Sequence, residues 1–494
     1  MSNPKQKSIA VIGGGWAGVA SAIKLLDHGH QVTLFESSHF LGGRARGVFD
    51  STFGMLDNGQ HLMLGAYTET LKLITRLNPH VELDQLVTRE PLYLMSADGE
   101  LCLQSASTWP APLSTLIGLI KAQGIGLSDK LSMIRLMLNV ARQKPAAHRA
   151  TLPPQPPSTL TVLQWLHSLK QSKFLIQNIW QPLCIAMLNT PLEHASQAIF
   201  ARVLRDSLGS HQKGATDIVL ARTDLSSLAP QKLTTLLACR LGHTVRQLQF
   251  DSHGITVDHE LFDACVIATP PYSVARLIQG TLDQGNCPPD QGDQNNRLLD
   301  ALLQFTYAPI TTCYMRLAHP YCLPAPMMML REDMARGQYG QWVFTRAHLN
   351  DRTDNCDLAV VISNSAQLVG GGMTAAHDRQ DMADRQGLHP QTGSHKLSDD
   401  SLVKNLHQQI SNQLAQRPKH DAQPLPVCIA HRVITEKRAT FVATPSLIRP
   451  SGLTHDPRVV LAGDWTDTGY PAVIEGAVLS GQYAATALIQ FFKT

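Results

Sequence analysis

The stretch SIAVIGGGWAGVASAIKLLDHGHQVTLFE, residues 8–36, decides the fold. Ser8–Ile12 is a short β-rich run, and Ala17–Asp27 carries apolar residues at the spacing of a helix. Gly29 follows as a helix-ending residue, and Gln31–Glu36 resumes an extended run. The pattern predicts one strand–helix–strand unit and therefore an α/β fold with a parallel sheet.

Three glycines in this stretch predict a dinucleotide site. Gly13, Gly15 and Gly18 fit G-x-G-x-x-G directly after a strand and at the start of a helix. The first permits a tight turn, the second lets the backbone approach a pyrophosphate, and the third lets the helix pack close to the sheet. Glu36 ends the second strand, where its carboxylate can accept hydrogen bonds from an unmodified ribose. An ordinary strand-to-helix turn is the alternative, and it leaves the terminal acid unexplained.

Two further segments favour FAD over NAD. LGGRARG, residues 41–47, places Gly43 and Arg44 where the arginine could reach back to the pyrophosphate. LAGDWTDTGYPAVIEGAVLSG, residues 461–481, adds a second strand, turn and helix, in which Asp464 can bind a ribityl hydroxyl. A helix that starts near Ala472 can direct its N-terminus at the flavin N1/O2 edge and stabilise negative charge there. The alternatives are a basic surface turn and a capped helix end.

Composition sets the broad class. The chain has 494 residues and a formal net charge of +3, which suggests two or three domains and no nucleic-acid partner. Its nine cysteines are scattered, without the spacing of a metal site or a disulfide scaffold, so a reducing cytosol is expected. The apolar stretch after Lys7 is too short and glycine-broken for a signal sequence, and no run reaches the length of a membrane span.

Strand-like runs recur far along the chain, at residues 241–271 and 458–465. They predict a discontinuous FAD-binding domain, made of residues 1–90, 225–271 and 436–494. Residues 91–224, mostly helical by pattern, and residues 272–435 then form substrate-binding inserts. Three proline-, glycine- or charge-rich stretches read as exposed loops. They are residues 145–158, 283–296 and 370–395.

Long motifs in a fixed order carry a family resemblance. VIGGGWAG, FESSHFLGGRAR and LAGDWTDTGYPAVIEGA resemble the FAD-dependent amine oxidase and phytoene desaturase superfamily over nearly the full length. DNGQHLMLGAY, WQPLCIAMLNTPLEHAS and GDWTDTGYPAVIEGAVLSG resemble more narrowly the squalene-associated FAD-dependent desaturases of bacterial hopanoid synthesis, understood as hydroxysqualene dehydroxylases. The resemblance implies a Rossmann-like FAD-binding domain of the glutathione-reductase type with an inserted α+β substrate domain of the amine oxidase type.

The resemblance also implies a reaction and a site. The reaction is reductive removal of the hydroxyl group of hydroxysqualene, an isoprenoid, by hydride transfer from reduced flavin to give squalene. The electron donor and the oligomeric state are not indicated. The segment after the G-G-R motif would pass along the flavin ring, and two further residues would complete the cofactor set. These implied flavin contacts are Asn58, Gly59, Gln60, His61, Val245 and Ile474.

The acid that helps hydroxide depart is least determined. His61 and Asp57 are the leading catalytic candidates by proximity to the implied flavin; alternatively they form an internal pair that only shapes the loop. Glu193 and His194 are weaker candidates, for which a helix start or a surface face is favoured. Three rival functions remain open. They are a carotenoid-type desaturase, an amine oxidase with Trp465 or Tyr470 as an aromatic wall, and a non-catalytic isoprenoid carrier.

Residues 113–141 bear on how a lipid substrate arrives. They read as two helices, the second starting with Ser128 as N-cap. The helices either line the mouth of a substrate tunnel and dip into a membrane surface, or form plain core. The expected location is therefore cytoplasmic or peripheral on the inner face of the cytoplasmic membrane. PMMML, residues 326–330, is either pocket wall or packing.

Overall fold

The computed structural model describes residues 6–106, 109–142, 159–250, 252–283, 292–346, 356–368, 374–375, 397–417 and 423–493. The predicted loop at 145–158 lies outside the described residues, as does that at 370–395 apart from 374–375. In the predicted loop at 283–296, Asp283 and residues 292–296 are helical, so for those residues the loop prediction is wrong.

The strands and helices follow in chain order. The strands are β1 Ser8–Ile12, β2 Gln31–Glu36, β3 Gly47–Asp50, β4 Gly54–Asp57, β5 Met63–Leu64, β6 Val87–Glu90, β7 Tyr93–Met95, β8 Cys102–Gln104, β9 Ile218–Ala221, β10 Ala238–Leu241, β11 Leu248–Phe250, β12 Ile255–Val257, β13 Glu260–Phe262, β14 Ala264–Ile267, β15 Thr306–Leu317, β16 Met327–Met329, β17 Trp342–Thr345, β18 Asp357–Ser363, β19 Thr374–Ala375, β20 Cys428–Phe441 and β21 Val459–Leu461. The α-helices are α1 Trp16–Asp27, α2 Thr68–Leu77, α3 Leu83–Leu86, α4 Ala111–Lys121, α5 Leu127–Arg142, α6 Val162–Ser168, α7 Lys173–Leu175, α8 Gln181–Leu188, α9 Gln197–Leu208, α10 Leu225–Leu228, α11 Pro271–Asp283, α12 Gly292–Leu303, α13 Asp399–Ala415 and α14 Ile474–Phe491.

A five-stranded parallel sheet, in the order β10-β2-β1-β14-β21, forms the nucleotide-binding half. The predicted bounds of β1 and β2 agree with the structure to the residue. The edge strand β10 was not predicted and lies at the start of the region predicted to be strand-rich. It has only four residues, two of them exposed, and therefore gives a weak strand signal. Strands from three distant parts of the chain thus share one sheet. The division into a cofactor domain and inserts stays a prediction.

Close backbone contacts hold the first helix against its neighbours. A Cβ atom on Gly18 would lie 1.9 Å from the carbonyl oxygen of Gly13. On the opposite side, a Cβ on Gly481 of α14 would lie 2.1 Å from the Ala17 oxygen. The absence of side chains at these two positions lets α1 sit tightly between the parallel sheet and α14.

A second, antiparallel sheet faces the nucleotide-binding half. Its strands run in the order β16-β17-β18-β15, and β19 and β20 also pair with β15. β15 and β20 are long, with 12 and 14 residues. Helix α13 packs on one side of this sheet, against a separate cluster of buried apolar residues. The other side faces the cavity described below.

Residues 113–141 do form two helices, α4 and α5, as predicted. The proposed N-cap Ser128 is wrong, because α5 begins at Leu127 and the Lys130 amide already bonds to the Gly126 carbonyl. Among the described helices, none is both long enough and apolar enough to cross a membrane.

Candidate active site

One cavity of about 730 Å³ starts at the carboxyl ends of the parallel strands and continues to the antiparallel sheet. Gly13 after β1, Glu36 at the end of β2, Ala268 after β14 and Asp464 after β21 all lie in its wall. The chain leaves β1 towards β2 on one side, while β14 lies on the other. Ligands of α/β sheets bind at such a switch point, beyond the carboxyl ends of the strands.

The glycine turn has the shape that a diphosphate needs. Gly13 has φ +108°, and a Cβ there would lie 2.6 Å from the Ala268 oxygen. At Gly15 a Cβ would meet only the Cα of Gly43, at 4.0 Å, so the cavity side of the turn is open. Helix α1 begins at Trp16 and points its N-terminal amides at this opening, which suits an anion. The turn therefore fits the diphosphate of a dinucleotide.

Glu36 is oriented by backbone amides at the same end of the cavity. One carboxylate oxygen accepts a hydrogen bond from the Gly14 amide at 2.6 Å, and the other from the Ser38 amide at 2.7 Å. The carboxylate lies in the cavity wall, and so does Val245. This arrangement leaves acceptor capacity that suits ribose hydroxyls.

Arg44 and Asp464 bring the early and late segments together. The Arg44 Nη2 atom lies 2.6 Å from an Asp464 carboxylate oxygen, and Nη1 donates to the Ala439 carbonyl at 2.8 Å. Gly43, with φ +62°, makes the turn that directs the arginine inward. Desolvation would lower the pKa of Arg44, but the nearby Asp464 outweighs it, so the pKa is raised and the guanidinium stays charged. Both side chains line the cavity.

A buried arginine shapes the late turn, which we define as residues 463–470. Arg449 donates to the main-chain carbonyls of Asp464 at 2.9 Å, Trp465 at 3.2 Å and Tyr470 at 2.6 Å, and also to that of Thr466. Burial lowers the pKa of Arg449 to about 10, still far enough above neutrality to keep its charge. The four carbonyls thus meet a cation instead of the cavity.

The helix after the late turn begins slightly later than predicted. It starts at Ile474, not near Ala472, because Val473 still has extended backbone angles. Ile474 lies in the cavity wall together with Ala472 and Val473. The N-terminus of α14 therefore opens on the cavity, where its dipole favours negative charge.

The segment after β4 lies in the cavity wall, and its contacts to the flavin stay a prediction. Asn58, Gly59, Gln60 and His61 all line the cavity. Gly59 has φ +150°, a backbone conformation that side-chain-bearing residues rarely adopt, and the Gln60 amide donates to the Thr312 hydroxyl at 3.3 Å. These residues thus present polar groups and an open backbone surface to a ligand.

The two leading acid candidates are not brought together. The Asp57 carboxylate accepts a hydrogen bond from the Leu225 amide at 2.8 Å, and Asp57 is not among the described residues that line the cavity. Burial raises the pKa of Asp57 to about 7. His61 instead bonds through Nδ1 to the Gly59 carbonyl at 2.8 Å. Each residue therefore has its own partner, and the internal pair considered for them is not formed.

The state of His61 follows from this bond. A carbonyl only accepts hydrogen bonds, so Nδ1 carries the proton and Nε2 carries the lone pair when the ring is neutral. Burial lowers the pKa of His61 below its usual 6.5, which makes the neutral ring the main form at pH 7. In that form His61 is an acceptor at Nε2 and has no second proton to give.

Glu436 is a cavity residue that the sequence reasoning missed. It lies on β20, and its carboxylate accepts hydrogen bonds from Asn58 Nδ2 at 3.0 Å and from the Arg438 amide at 3.3 Å. The signal that could have found it is the charged triplet Glu436-Lys437-Arg438 inside a strand-like run. Glu193 and His194 are exposed, in agreement with the surface reading.

Beyond these polar groups the cavity becomes apolar. We call this part the apolar chamber. Trp342, Phe344 and Met327 from the antiparallel sheet contribute to it, and α8 and α9 supply residues from the other side. PMMML serves both predicted purposes, since Met327 lines the chamber while Met328 packs into the cluster beneath α13. The chamber is lined by Leu92, Leu94, Leu183, Met187, Val203, Ile218, Ile310, Met327, Trp342, Phe344 and Val361.

A dinucleotide-binding sheet that opens into an apolar chamber is the arrangement of a flavin-type oxidoreductase. The chain belongs to the family of flavin containing amine oxidoreductases, whose model matches residues 16–341 and 389–489. Its cofactor is FAD, and it is an FAD-dependent oxidoreductase, as predicted. The glycine turn, Glu36 and the Arg44–Asp464 pair fit this cofactor.

Two hydroxysqualene dehydroxylases match nearly the whole chain, and a carotene desaturase matches part of it. A hydroxysqualene dehydroxylase of Rhodopseudomonas palustris is 25% identical over 98% of both chains. One of Zymomonas mobilis is 24% identical over 96% of this chain and 97% of its own. A zeta-carotene desaturase of Solanum lycopersicum is 26% identical but covers only 44% of this chain and 38% of its own.

Solved structures confirm the predicted amine oxidase type of fold. Cyclohexylamine oxidase from Brevibacterium oxydans has a TM-score of 0.63 at 16% identity, over 99% of this chain and 100% of its own. A putrescine oxidase variant has a TM-score of 0.63 at 16% identity, over 98% of this chain and 99% of its own. At such identities the likeness shows the fold alone.

Proposed function

We propose that this protein reductively dehydroxylates hydroxysqualene to squalene. The observation that carries the proposal is the single cavity that joins the FAD-binding strand ends to the apolar chamber. Full-length relatives named for this reaction support the same substrate. A chamber walled by leucine, methionine and aromatic side chains suits a long isoprenoid and offers few partners to a polar substrate.

Bound FAD, once reduced, supplies a hydride. The chain's own residues have three tasks around it. The glycine turn, Glu36 and Arg44 hold the dinucleotide, and Asn58 to His61 fix polar groups at the boundary of the apolar chamber. The chamber walls orient the isoprenoid and exclude water, which would otherwise capture a developing allylic cation.

Anaerobic single turnover tests the proposal. Photoreduced protein is mixed with hydroxysqualene, and flavin reoxidation and squalene formation are followed together. We expect both to proceed with the same rate and in equal amounts. Reoxidation that requires admission of oxygen, with no squalene formed, would rule the dehydroxylase out.

A carotenoid-type desaturase is the second candidate, because the zeta-carotene desaturases match part of this chain. It would use the same cavity but oxidise its substrate. Oxidised protein incubated anaerobically with phytoene or zeta-carotene would then bleach its flavin and extend the conjugated chain. An amine oxidase would instead reduce its flavin with a primary amine.

We further propose peripheral attachment to a lipid surface through α4 and α5. We define the docking face as the exposed apolar residues of this helix pair and the turn before it. They are Trp109 (51% exposed), Leu113 (48%), Leu116 (38%), Ile120 (66%), Leu127 (75%), Leu131 (57%) and Leu138 (53%). On α4, residues 113, 116 and 120 recur at helical spacing, so they share one side of the helix.

The charges beside the docking face suit anionic lipid. Lys121, Arg135 and Arg142 are exposed on the same two helices, whereas Asp129 is the acidic residue there. An apolar helical face with basic residues and a tryptophan at its edge is typical of helices that lie in a membrane interface. Each basic residue near an anionic surface adds on the order of 1 kcal/mol.

Vesicle co-sedimentation tests the attachment. We expect binding to phosphatidylglycerol vesicles, weaker binding to phosphatidylcholine, and loss of binding in Leu131→Glu. Leu261→Glu is the matched control, because Leu261 on β13 is also 57% exposed but lies outside the docking face. Equal binding of the two variants, or no binding of the wild type, would contradict the attachment. Dehydroxylation of detergent-dispersed substrate tests the chemistry separately.

A further inference from the structure

We propose that Glu436 donates the proton to the departing hydroxyl group of the substrate and that Asn58 positions it. This inference rests on the proposed function and names the residue that completes its chemistry. It is carried by the location of the Glu436 carboxyl group and by the partners that occupy the other acids of the cavity.

Glu436 lies where the cavity changes from polar to apolar. Directly opposite it on β15 is Ile310, which lines the apolar chamber. Three residues further along β20, the Ala439 carbonyl accepts the hydrogen bond from Arg44, which belongs to the cofactor end. A carboxyl group between these two points is placed for the one polar group of an otherwise apolar substrate.

Asn58 fixes the direction of this carboxyl group. Its Nδ2 donates to one carboxylate oxygen at 3.0 Å, and the Arg438 amide contacts the other at 3.3 Å. Asn58 itself lies on the segment that crosses the cavity, so the two strands β4 and β20 are tied together at this point. A single proton on the carboxyl group can still be directed to a ligand, because each oxygen has a second lone pair.

The other carboxyl groups in the cavity wall are held by partners at the FAD-binding end. Among the described lining residues these are Glu36 and Asp464. Glu36 is held by the Gly14 and Ser38 amides at the nucleotide end, and Asp464 is paired with Arg44. Both lie at or just after the carboxyl ends of strands of the parallel sheet, at the end of the cavity where FAD is held.

Two other residues of the cavity wall, His61 and Tyr67, are poor proton donors at neutral pH. Neutral His61 uses its one N–H on the Gly59 carbonyl. Burial raises the pKa of Tyr67, another lining residue, above its usual value, so the phenol holds its proton more tightly. Burial lowers the pKa of His61, and the nearby Glu436 partly counters that lowering. The two side chains are therefore close enough to interact electrostatically.

The step balances as follows. The C–O bond breaks with its electron pair on oxygen, and this oxygen takes the Glu436 proton and departs as water. The carbon takes the hydride that reduced FAD supplies, so the substrate is reduced and the flavin is oxidised. Glu436 is left as a carboxylate and regains a proton from solvent before the next turnover.

Anaerobic stopped-flow with photoreduced protein and hydroxysqualene tests the role. Glu436→Gln keeps the shape and can still accept from Asn58, but it has no acidic proton. We expect flavin reoxidation and squalene formation to slow by about 100-fold or more, as for loss of a general acid. Glu436→Asp should recover part of the rate.

Three measurements on Glu436→Gln, and a comparison with Asn58→Ala, separate this role from a structural one. FAD content and reoxidation by dioxygen should be unchanged in Glu436→Gln, and so should hydroxysqualene affinity measured by equilibrium binding of the labelled substrate. Asn58→Ala should slow the reaction less, and adding it to Glu436→Gln should cause little further loss, because the two act as one unit. Glu332→Gln is the control, a glutamate outside the described cavity wall whose carboxylate also accepts a side-chain amide hydrogen bond, from Gln341 Nε2 at 2.9 Å.

The outcomes distinguish this inference from the proposed function. An active wild type with an equally active Glu436→Gln would overturn the role of Glu436 alone. The same conclusion would follow if His61→Gln, and not Glu436→Gln, abolished squalene formation. A wild type that forms no squalene under these conditions would overturn both.

Discussion

Replacing Arg44 tests whether the Arg44–Asp464 ion pair contributes to FAD binding. In Arg44→Ala, the Asp464 carboxylate loses the cation that lies 2.6 Å away. The Asp464 side chain is only 8% exposed, so little water can replace that partner. We therefore expect Arg44→Ala both to destabilise the apoprotein and to weaken FAD binding.

The magnitude follows from the burial of the two partners. Breaking a fully buried ion pair costs about 3–5 kcal/mol, and exposed pairs contribute about 0–1 kcal/mol. Arg44 is 35% exposed, so a value near 2 kcal/mol is expected for folding. A charge-assisted hydrogen bond to FAD adds about 1.5–3 kcal/mol, which corresponds to roughly a 10- to 150-fold weaker Kd.

A double-mutant cycle isolates the pair. FAD is titrated into apoprotein of the wild type, Arg44→Ala, Asp464→Asn and the double variant, and quenching of flavin fluorescence gives each Kd. Because Asp464→Asn removes the uncompensated charge, we expect the double variant to bind FAD more tightly than Arg44→Ala does. An unchanged Kd in Arg44→Ala would remove this arginine from the cofactor site. Free energies that add without coupling would show that the pair does not act as a unit.

Three further predictions concern the same scaffold. Gly18→Ala should prevent FAD retention and lower the thermal midpoint, since its Cβ would lie 1.9 Å from a carbonyl oxygen, whereas Gly126→Ala, with no atom within 4 Å, should change neither. The Asp57 pKa is raised from 3.8 to about 7, so the folded state binds the proton more tightly. Stability against urea should therefore fall as pH rises from about 4 to 7, and Asp57→Asn should flatten this profile. Arg449→Lys should lower the temperature at which flavin fluorescence appears, because an ammonium cannot reach all four carbonyls of the late turn; an unchanged temperature would contradict this.

Local chemistry explains why the nucleotide-binding strands were predictable. A G-x-G-x-x-G turn requires a strand before it and a helix after it, so β1, α1 and β2 follow from 29 consecutive residues. The helix pair α4 and α5 was predictable for the same reason, since its apolar period is local. The start of α5 was not, because the Gly126 carbonyl and not a side chain begins the helix.

The acid candidates depend on information that no local pattern contains. Which face of β4 the Asp57 side chain occupies is set by pairing with β3 and by the Leu225 amide, 168 residues away. Glu436 reaches the cavity only because β20 pairs with β15, whose residues lie more than 100 positions earlier. Proximity to the implied flavin segment along the chain therefore favoured Asp57, whereas the cavity wall contains Glu436 and not Asp57 among its described residues.

The cavity changes from polar to apolar along strand β20. At Ala439 it contacts the arginine of the cofactor end, at Glu436 it contacts Asn58, and opposite Glu436 the chamber wall begins with Ile310. A substrate with one hydroxyl group and long apolar chains can satisfy this gradient in only one orientation, with the hydroxyl at Glu436 and a chain in the chamber. Burying the hydroxyl deep in the chamber would leave it without a hydrogen-bond partner and cost about 1–3 kcal/mol. The same gradient predicts that Phe344→Glu, which places a charge inside the chamber, should weaken squalene binding far more than FAD binding. Squalene binding is measured with labelled squalene and FAD binding by flavin fluorescence. Equal weakening of both would show that the chamber is not where the isoprenoid lies.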